Sequence, residues 1–290
     1  MPPHTFETIL VPVDFSEISA HSLRTASLLA ARCGHARMVA MYANWFEAPP
    51  YFTAGRLAEL QTEFRESLQV AERSLGAFVR STLGDHADSV EVRVIEALPA
   101  DGIRRLATQT KAQLIVMGTH GRSGLNRWML GSVAERMLRE SPVPVLTVRS
   151  APREPVRQVL CPVRDTELSR QALSFAAGIS ACFDATLTVL HVHEASETRP
   201  LSDLCSWIPA EERTRCVIRE LVRHGDAAEE IVKVATEEPY GFVVLGAARR
   251  RYFEGMVLGT TTLRTVRHAP CPVLTVGPGP GVADEPHDRQ

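Results

Sequence analysis

Residues 114–132 read LIVMGTHGRSGLNRWMLGS: four apolar residues without a turn former, then glycines at 118, 121 and 131 and a serine at 132. An apolar run of this kind, closed by glycine, reads as a strand buried on both faces, and VAERMLRES has the spacing of a helix opening at Ser132. The same unit recurs towards both termini. TILVPV (8–13) is an apolar, β-branched strand, followed by a helix over SEISAHSLRTASLLAARCG (16–34) with a serine cap and a glycine stop. RMVAMYA (37–43) and VEVRVIEA (90–97) read as strands, the stretch near 56–82 as a long amphipathic helix, DGIRRLATQT (101–110) as a helix after Pro99, and VPVLTV (143–148) as a closing strand. Strands that are apolar throughout and separated by helices predict a parallel sheet covered on both faces, a doubly wound α/β fold.

The second half repeats the order with VLCPV (159–163), a helix near 167–182, TLTVLHV (186–192), CVIRELV (216–222), FVVLG (242–246), a helix after Gly259 and CPVLTV (271–276). Pro12 aligns with Pro162 at an offset of 150, whereas Gly118 aligns with Gly246 and Ile103 with Ile231 at an offset of 128, so the copy lacks 22 residues between its second and third strands. The segment 194–213, broken by Pro200 and Pro209, is too short to replace the long helix, and one flank of the second sheet is predicted to be thinly covered. The expectation is two tandem open five-stranded sheets of parallel type, over 1–149 and 156–277, with SAPREP (150–155) as linker and 278–290 as a disordered tail. Both closing strands are edge strands that begin at prolines, and an exposed edge invites pairing with a like edge.

With 290 residues, 23% of them charged, and a net charge of −2, the chain carries no global field that would draw it to nucleic acid or an anionic membrane. The start MPPHTFETI lacks the basic and apolar regions of a signal peptide, and no run approaches the roughly 18 apolar residues of a spanning helix. The cytosol is the expected compartment. Six cysteines (33, 161, 182, 205, 216 and 271) include no CxxC pair and fall in apolar segments, which reads as reduced, buried thiols.

Chemistry concentrates at the glycine run. In an open parallel sheet, ligands sit beyond the carboxyl ends of strands, and Gly118 is at such an end. Glycine permits positive φ and close backbone approach at 118 and 121, so amides there can turn inward as an anion nest. Gly131 and Ser132 open a helix whose unpaired N–H groups favour phosphate, and Arg122 and Arg127 add charge. Turn glycines with a capping serine are the plainer alternative. Neither GxxxxGK[ST] nor GxGxxG after the first strand is present, so neither the P-loop nor the dinucleotide mechanism applies.

GxxG, nine residues, then G[ST] resembles the nucleotide-binding pattern of the universal stress proteins, ILVPVDFSE resembles that family's first strand and turn, and PVPVLTV and PCPVLTV resemble its closing strand. The likeness spans about 6–149 and again 156–277, so the chain looks like a tandem member with the family's Rossmann-like, adenine nucleotide alpha hydrolase-like fold and its two halves paired about a pseudo-twofold axis. It implies ATP, with or without magnesium, as the ligand. Carried over, Asp14 meets the adenosine, with Pro12 and Val13 as the adjacent wall, and Ala43 offers backbone to the adenine. Met117 and Gly118 line the ribose and phosphate path, and Gly121, Arg122, Gly131, Ser132 and Val133 hold phosphates. Ala97 departs from the glycine that the family usually has before x-Pro, and Asp14 also reads as a turn or helix cap.

In the copy, Arg164 replaces Asp14 and Arg249 replaces Gly121, bringing a long side chain into the space a phosphate needs, so the second half is not expected to bind ATP. Arg249, Arg250 and Arg251 read as a solvated loop or as a site for another anion. His191 and His193 lack a third ligand, and no metal site is assigned. Trp45, Phe46, Tyr51 and Phe52 read as packing of a long loop, with a lid over the adenine as the alternative. No nucleophile has a partner at a diagnostic spacing. The expected function is an ATP-binding stress or signalling protein, with an unidentified signalling partner and a homodimer as further associations. The alternatives are a slow ATPase or self-phosphorylating enzyme using Ser123, Ser132 or Thr119, and a scaffold whose second half takes a partner or hydrophobic ligand.

Overall fold

The computed structural model describes residues 6–45, 54–121, 130–193, 204–208, 210–252 and 255–278. The first half runs β1 (Thr8–Pro12), α1 (Glu17–Arg32), β2 (Arg37–Asn44), α2 (Ala54–Leu83), β3 (Val90–Glu96), α3 (Pro99–Gln109), β4 (Leu114–Gly118), α4 (Ser132–Glu140) and β5 (Val145–Val148). Local chemistry sets the boundaries. The Ser16 side chain accepts from the Ser19 amide at the start of α1, and the chain leaves that helix through Gly34 at φ 106. Pro99 opens α3, where its missing N–H costs nothing.

The second half runs β6 (Gln158–Val163), α5 (Glu167–Phe183), β7 (Thr186–His193), α6 (Ala210–Arg213), β8 (Ile218–His224), α7 (Ala227–Glu237), β9 (Phe242–Gly246), β10 (Arg249–Tyr252), β11 (Gly255–Leu258), α8 (Thr260–His268) and β12 (Val273–Val276). Between β7 and β8, a 3-10 turn (Leu204–Trp207) and the four-residue α6 stand where the first half has the 30-residue α2. Ile208 is buried there and the Arg170 guanidinium lies 4.7 Å from the Trp207 ring, but Val217 and Val222 near that edge are exposed.

One ten-stranded sheet runs through the molecule in the order β3-β2-β1-β4-β5-β12-β9-β6-β7-β8. All neighbours are parallel except β5 and β12, which pair antiparallel through Val145↔Thr275, Leu146↔Leu274 and Thr147↔Val273. Two buried hydroxyls bridge this seam, Thr147 Oγ1 to the Val273 carbonyl and Thr275 Oγ1 to the Val145 carbonyl, each at 3.1 Å. Helices α1, α2 and α5 cover one face and α3, α4, α7 and α8 the other, so each core runs across both halves.

The arginines at 249–251 do not form the predicted loop. They belong to β10, which pairs antiparallel with β11 from Arg249↔Leu258 to Tyr252↔Gly255, and Leu258 anchors this hairpin in the core beside α4. Two of the thiols also differ from expectation. Cys33, Cys161 and Cys271 are buried, but Cys182 and Cys216 are only half-buried. Side-chain placement at Cys205, and everything after residue 278, lies outside the described residues.

Asp226 shows how a cap holds an element of the second half. It is the N-cap of α7, its carboxylate accepts from the Glu229 amide at 2.9 Å, and both its oxygens lie 2.9 Å from Arg264 Nη1. The Glu229 amide above all, and then Arg264, hold this carboxyl below its ordinary range. Asp226→Ala is expected to cost about 1 kcal/mol at neutral pH. Because the folded value is depressed, the stabilisation is complete above the unfolded carboxyl value of about 3.9 and is lost as pH falls through the folded one. Urea unfolding of both proteins at pH 7 and pH 3 should therefore show a gap that narrows in acid.

Candidate nucleotide site at the strand-order reversal

In the first half the sheet order reverses between β1 and β4, and the crevice at such a point, beyond the strand carboxyl ends, is where open α/β sheets take ligands. Pro12, Val13 and Asp14 leave β1 there, Ala43 is near the end of β2, and Met117 and Gly118 end β4. Val13 is fixed by its amide, which donates to the Met41 carbonyl at 2.8 Å.

Asp14 is a half-buried group with a structural role. Its Oδ1 accepts from the Ser16 amide at 3.1 Å, from Ser16 Oγ at 2.6 Å and from Ser19 Oγ, while its own amide donates to Ser19 Oγ at 3.0 Å. The turn reading of Asp14 is therefore correct for one oxygen. The next residue, Phe15, has φ 65, a left-handed conformation uncommon for a bulky residue, and its ring packs against Tyr42 and Phe78 at 5.0 and 5.6 Å. That aromatic anchor fixes the direction in which Asp14 leaves the strand. No sequence pattern marked Phe15, since its role depends on a backbone angle.

The Asp14 Oδ2 atom faces Gly121: a Cβ built on Gly121 would lie 2.5 Å from it. At Gly118 a Cβ would lie 2.6 Å from Ile18 Cγ2, and at Gly131 it would lie 3.2 Å from the His120 Cα. All three glycines are thus closely approached by neighbouring atoms. The expected use of positive φ is not found at any of them; among the described glycines it occurs at 34, 84 and 225. The loop is closed at its base by the Gly131 amide, which donates to the Thr119 carbonyl at 2.8 Å, and Thr119 is tied to β5 through its amide and the Val148 carbonyl at 3.0 Å.

Gly131 is the N-cap of α4 and no side chain caps the helix, so Ser132 is its first residue and not a capping serine. Its exposed position and that of half-buried Val133 leave the first-turn amides at the mouth of the crevice. Arg122, Arg127 and Ser123 lie outside the described residues, as do Phe46, Tyr51 and Phe52, while Trp45 is exposed. His120, which the sequence reading did not single out, joins the site: its Nδ1 is 3.0 Å from Thr119 Oγ1. Burial first, then the nearby Arg149 guanidinium, hold the imidazole below its ordinary value, against the opposing pull of Asp14.

The second half keeps the frame but carries different residues at the crevice. The Arg164 amide donates to Ser169 Oγ at 3.0 Å as Asp14 does to Ser19, and the Ala247 amide donates to Val276 as Thr119 does to Val148. The Arg164 side chain is exposed, and neighbouring Asp165 is not a substitute for Asp14, because its carboxylate pairs with Arg170 at 2.7 Å. Gly246 remains a packing necessity, since a Cβ there would lie 2.8 Å from the Leu168 carbonyl. Arg249, the counterpart of Gly121, begins a paired strand. His191 is buried with Nδ1 3.3 Å from the Val163 carbonyl, and its ring neighbours that of His193 at 6.2 Å. Among the described residues no group of three or more His, Cys, Asp or Glu side chains is placed to hold a metal ion.

The model of the Universal stress protein family matches this chain twice, at residues 5–149 and 155–277. A universal stress protein of Methanocaldococcus jannaschii is 31% identical over 150 residues, covering 51% of this chain and 85% of its own length. One from Mycolicibacterium smegmatis is 27% identical over 295 residues, covering 93% of this chain and 97% of its own. The crystal structure of a universal stress protein from Archaeoglobus fulgidus superposes with a TM-score of 0.68 at 20% identity, covering 93% of this chain and 98% of that one, which is a likeness of fold.

Proposed function

Because the chain belongs to the universal stress protein family and carries two of its units in tandem, we propose that it binds ATP in the first unit and not, in that manner, in the second. The observation that carries this reading is the approach of Asp14 Oδ2 to Gly121, which brings the two ends of the family's nucleotide pattern together at the sheet's switch point. Their counterparts, Arg164 and Arg249, change together.

In this reading Asp14 holds the adenosine against the wall of Pro12 and Val13, with the Ala43 backbone at the adenine. Met117 and Gly118 line the path to the phosphates. The amides about Gly121, Gly131, Ser132 and Val133, with Arg122, hold the triphosphate, and magnesium accompanies it as counter-ion. Several amides must act together, since a helix dipole alone contributes about 0.3 to 2 kcal/mol.

Binding is assigned in preference to turnover. Phosphoryl transfer calls for a group that positions the attacking oxygen, and the carboxylate at this crevice, Asp14, already has one oxygen committed to Ser16 and Ser19. No helix among the described residues is long and apolar enough to cross a membrane. Calorimetry of the full chain with magnesium ATP tests the proposal: one saturable micromolar site per chain is expected, and either no heat or two equivalent sites would overturn it. Radiolabelled γ-phosphate retained on the protein would instead favour the self-phosphorylating alternative.

A further inference from the structure

The C-terminal ends of α1 and α5 bring two cysteines from different halves together. The offset of 150 that relates α1 to α5 makes Arg32 the counterpart of Cys182 and Cys33 the counterpart of Phe183. Across a twofold axis, a contact between one position and another is matched by its reciprocal. The first member of this pair is the Arg32 guanidinium, 5.4 Å from the Phe183 ring centroid, with Nε donating to the Cys182 carbonyl at 3.3 Å. Its mate is the contact of Cys33 with Cys182, whose thiols lie within hydrogen-bonding reach. The fold's own symmetry therefore accounts for the pair.

We propose that Cys33 and Cys182 are a redox-responsive site, oxidised by a hydroperoxide to a disulfide that staples α1 to α5 and so joins the two halves covalently. The two sulfurs have different surroundings. Cys33 caps the end of α1 and is 1% exposed, whereas Cys182, in the last turn of α5, is half-buried and reachable. The Cys33 thiol donating to it, then the Arg215 and Arg32 guanidinium groups, hold the Cys182 thiol below its ordinary value despite partial burial. Asp184 lies on the solvent side, 3.9 Å from Arg32. The same hydrogen bond and burial push Cys33 up. Elsewhere burial alone pushes Cys161 up, and chiefly burial pushes Cys271 up to about 12, which leaves both unreactive.

In the first step the Cys182 thiolate attacks the peroxide: an S–O bond forms, the O–O bond breaks, and the departing oxygen takes a proton to leave as alcohol or water. In the second, the Cys33 sulfur attacks the sulfenic sulfur: the S–S bond forms, the S–O bond breaks, and hydroxide leaves with the Cys33 proton as water. Two thiols supply the two electrons that the peroxide accepts.

The test uses the full reduced chain treated with a small excess of hydrogen peroxide, followed by non-reducing peptide mapping. A peptide linking 33 to 182 is expected, with a thermal midpoint raised by roughly 5–15 °C, because the bond closes a long loop. Dithiothreitol should reverse both. In Cys33→Ala the sulfenic acid has no resolving partner and should be captured on Cys182 by dimedone. Should Cys33→Ala fail to fold, the wild-type map decides alone. A link from Cys182 to Cys216, or no link at all after peroxide treatment, would overturn the proposal.

Discussion

Replacing Gly121 with arginine, the residue its counterpart carries at 249, is expected to weaken ATP binding by at least about 100-fold, close to 2.8 kcal/mol. The new Cβ would sit 2.5 Å from Asp14 Oδ2, inside any real contact, so either the Asp14 carboxylate or the chain at 121 must move, and both belong to the proposed site. Gly121→Ala isolates that displacement from the bulk and charge of the guanidinium and should give a smaller loss of the same kind. Gly121 is exposed at the rim, so neither variant should lower the unfolding midpoint by more than a few degrees. The reverse change, Arg249→Gly, should not create a second site, because Arg164 still stands in place of Asp14 and β10 remains paired with β11. Calorimetry on the three variants separates these expectations: a Gly121→Arg protein that binds ATP like the parent would remove the basis for placing triphosphate at this loop.

That asymmetry between the halves was legible in the sequence, and the reason for it only in part. The apolar runs at β1, β4, β6 and β9 are short and uninterrupted, which left few alternatives to buried parallel strands. Repetition at offsets of 150 and 128 fixed the order of elements, and the missing 22 residues located the thin cover of the second half. The hairpin of β10 and β11 was hidden because three successive arginines show no alternation and Tyr252 is not followed by an Asn-Gly or Asp-Gly turn. What commits this segment is tertiary, the burial of Leu258 beside α4. At the candidate site, the glycine spacing marks a loop that the fold does set beside Asp14, but the reason read from it is incomplete. The sequence suggests both positive φ and room for a ligand, whereas the fold shows room taken up by neighbouring groups: Ile18, Asp14 and His120 press on glycines 118, 121 and 131 from elements distant in the chain or across the loop. His120 and Phe15 escaped notice because neither belongs to a spacing pattern.

The largest effects on stability are expected at the seam of the two halves. Leu146 and Leu274 face one another across the antiparallel pairing of β5 and β12, each 1% exposed and both part of the core beneath α1 and α5. Removing three carbons from either leaves a hole between two sheet segments that hydrogen bonds hold in register, so the cavity can collapse only partly. Leu146→Ala and Leu274→Ala should each cost about 3 kcal/mol, within the usual range of roughly 2 to 5 for buried leucine. Their double variant should depart from additivity by about 0.5 kcal/mol or more, since each side chain lines the cavity left by the other. The same core continues through the stacked rings of Phe6 and Phe175, 6.4 Å apart and contributed by different halves. Neither half therefore has a complete interior of its own, and denaturant unfolding of each variant should remain a single transition displaced as a whole. Two separable transitions, with only the first half's moved by Leu146→Ala, would show instead that the halves fold as independent units and that the seam is an interface between them.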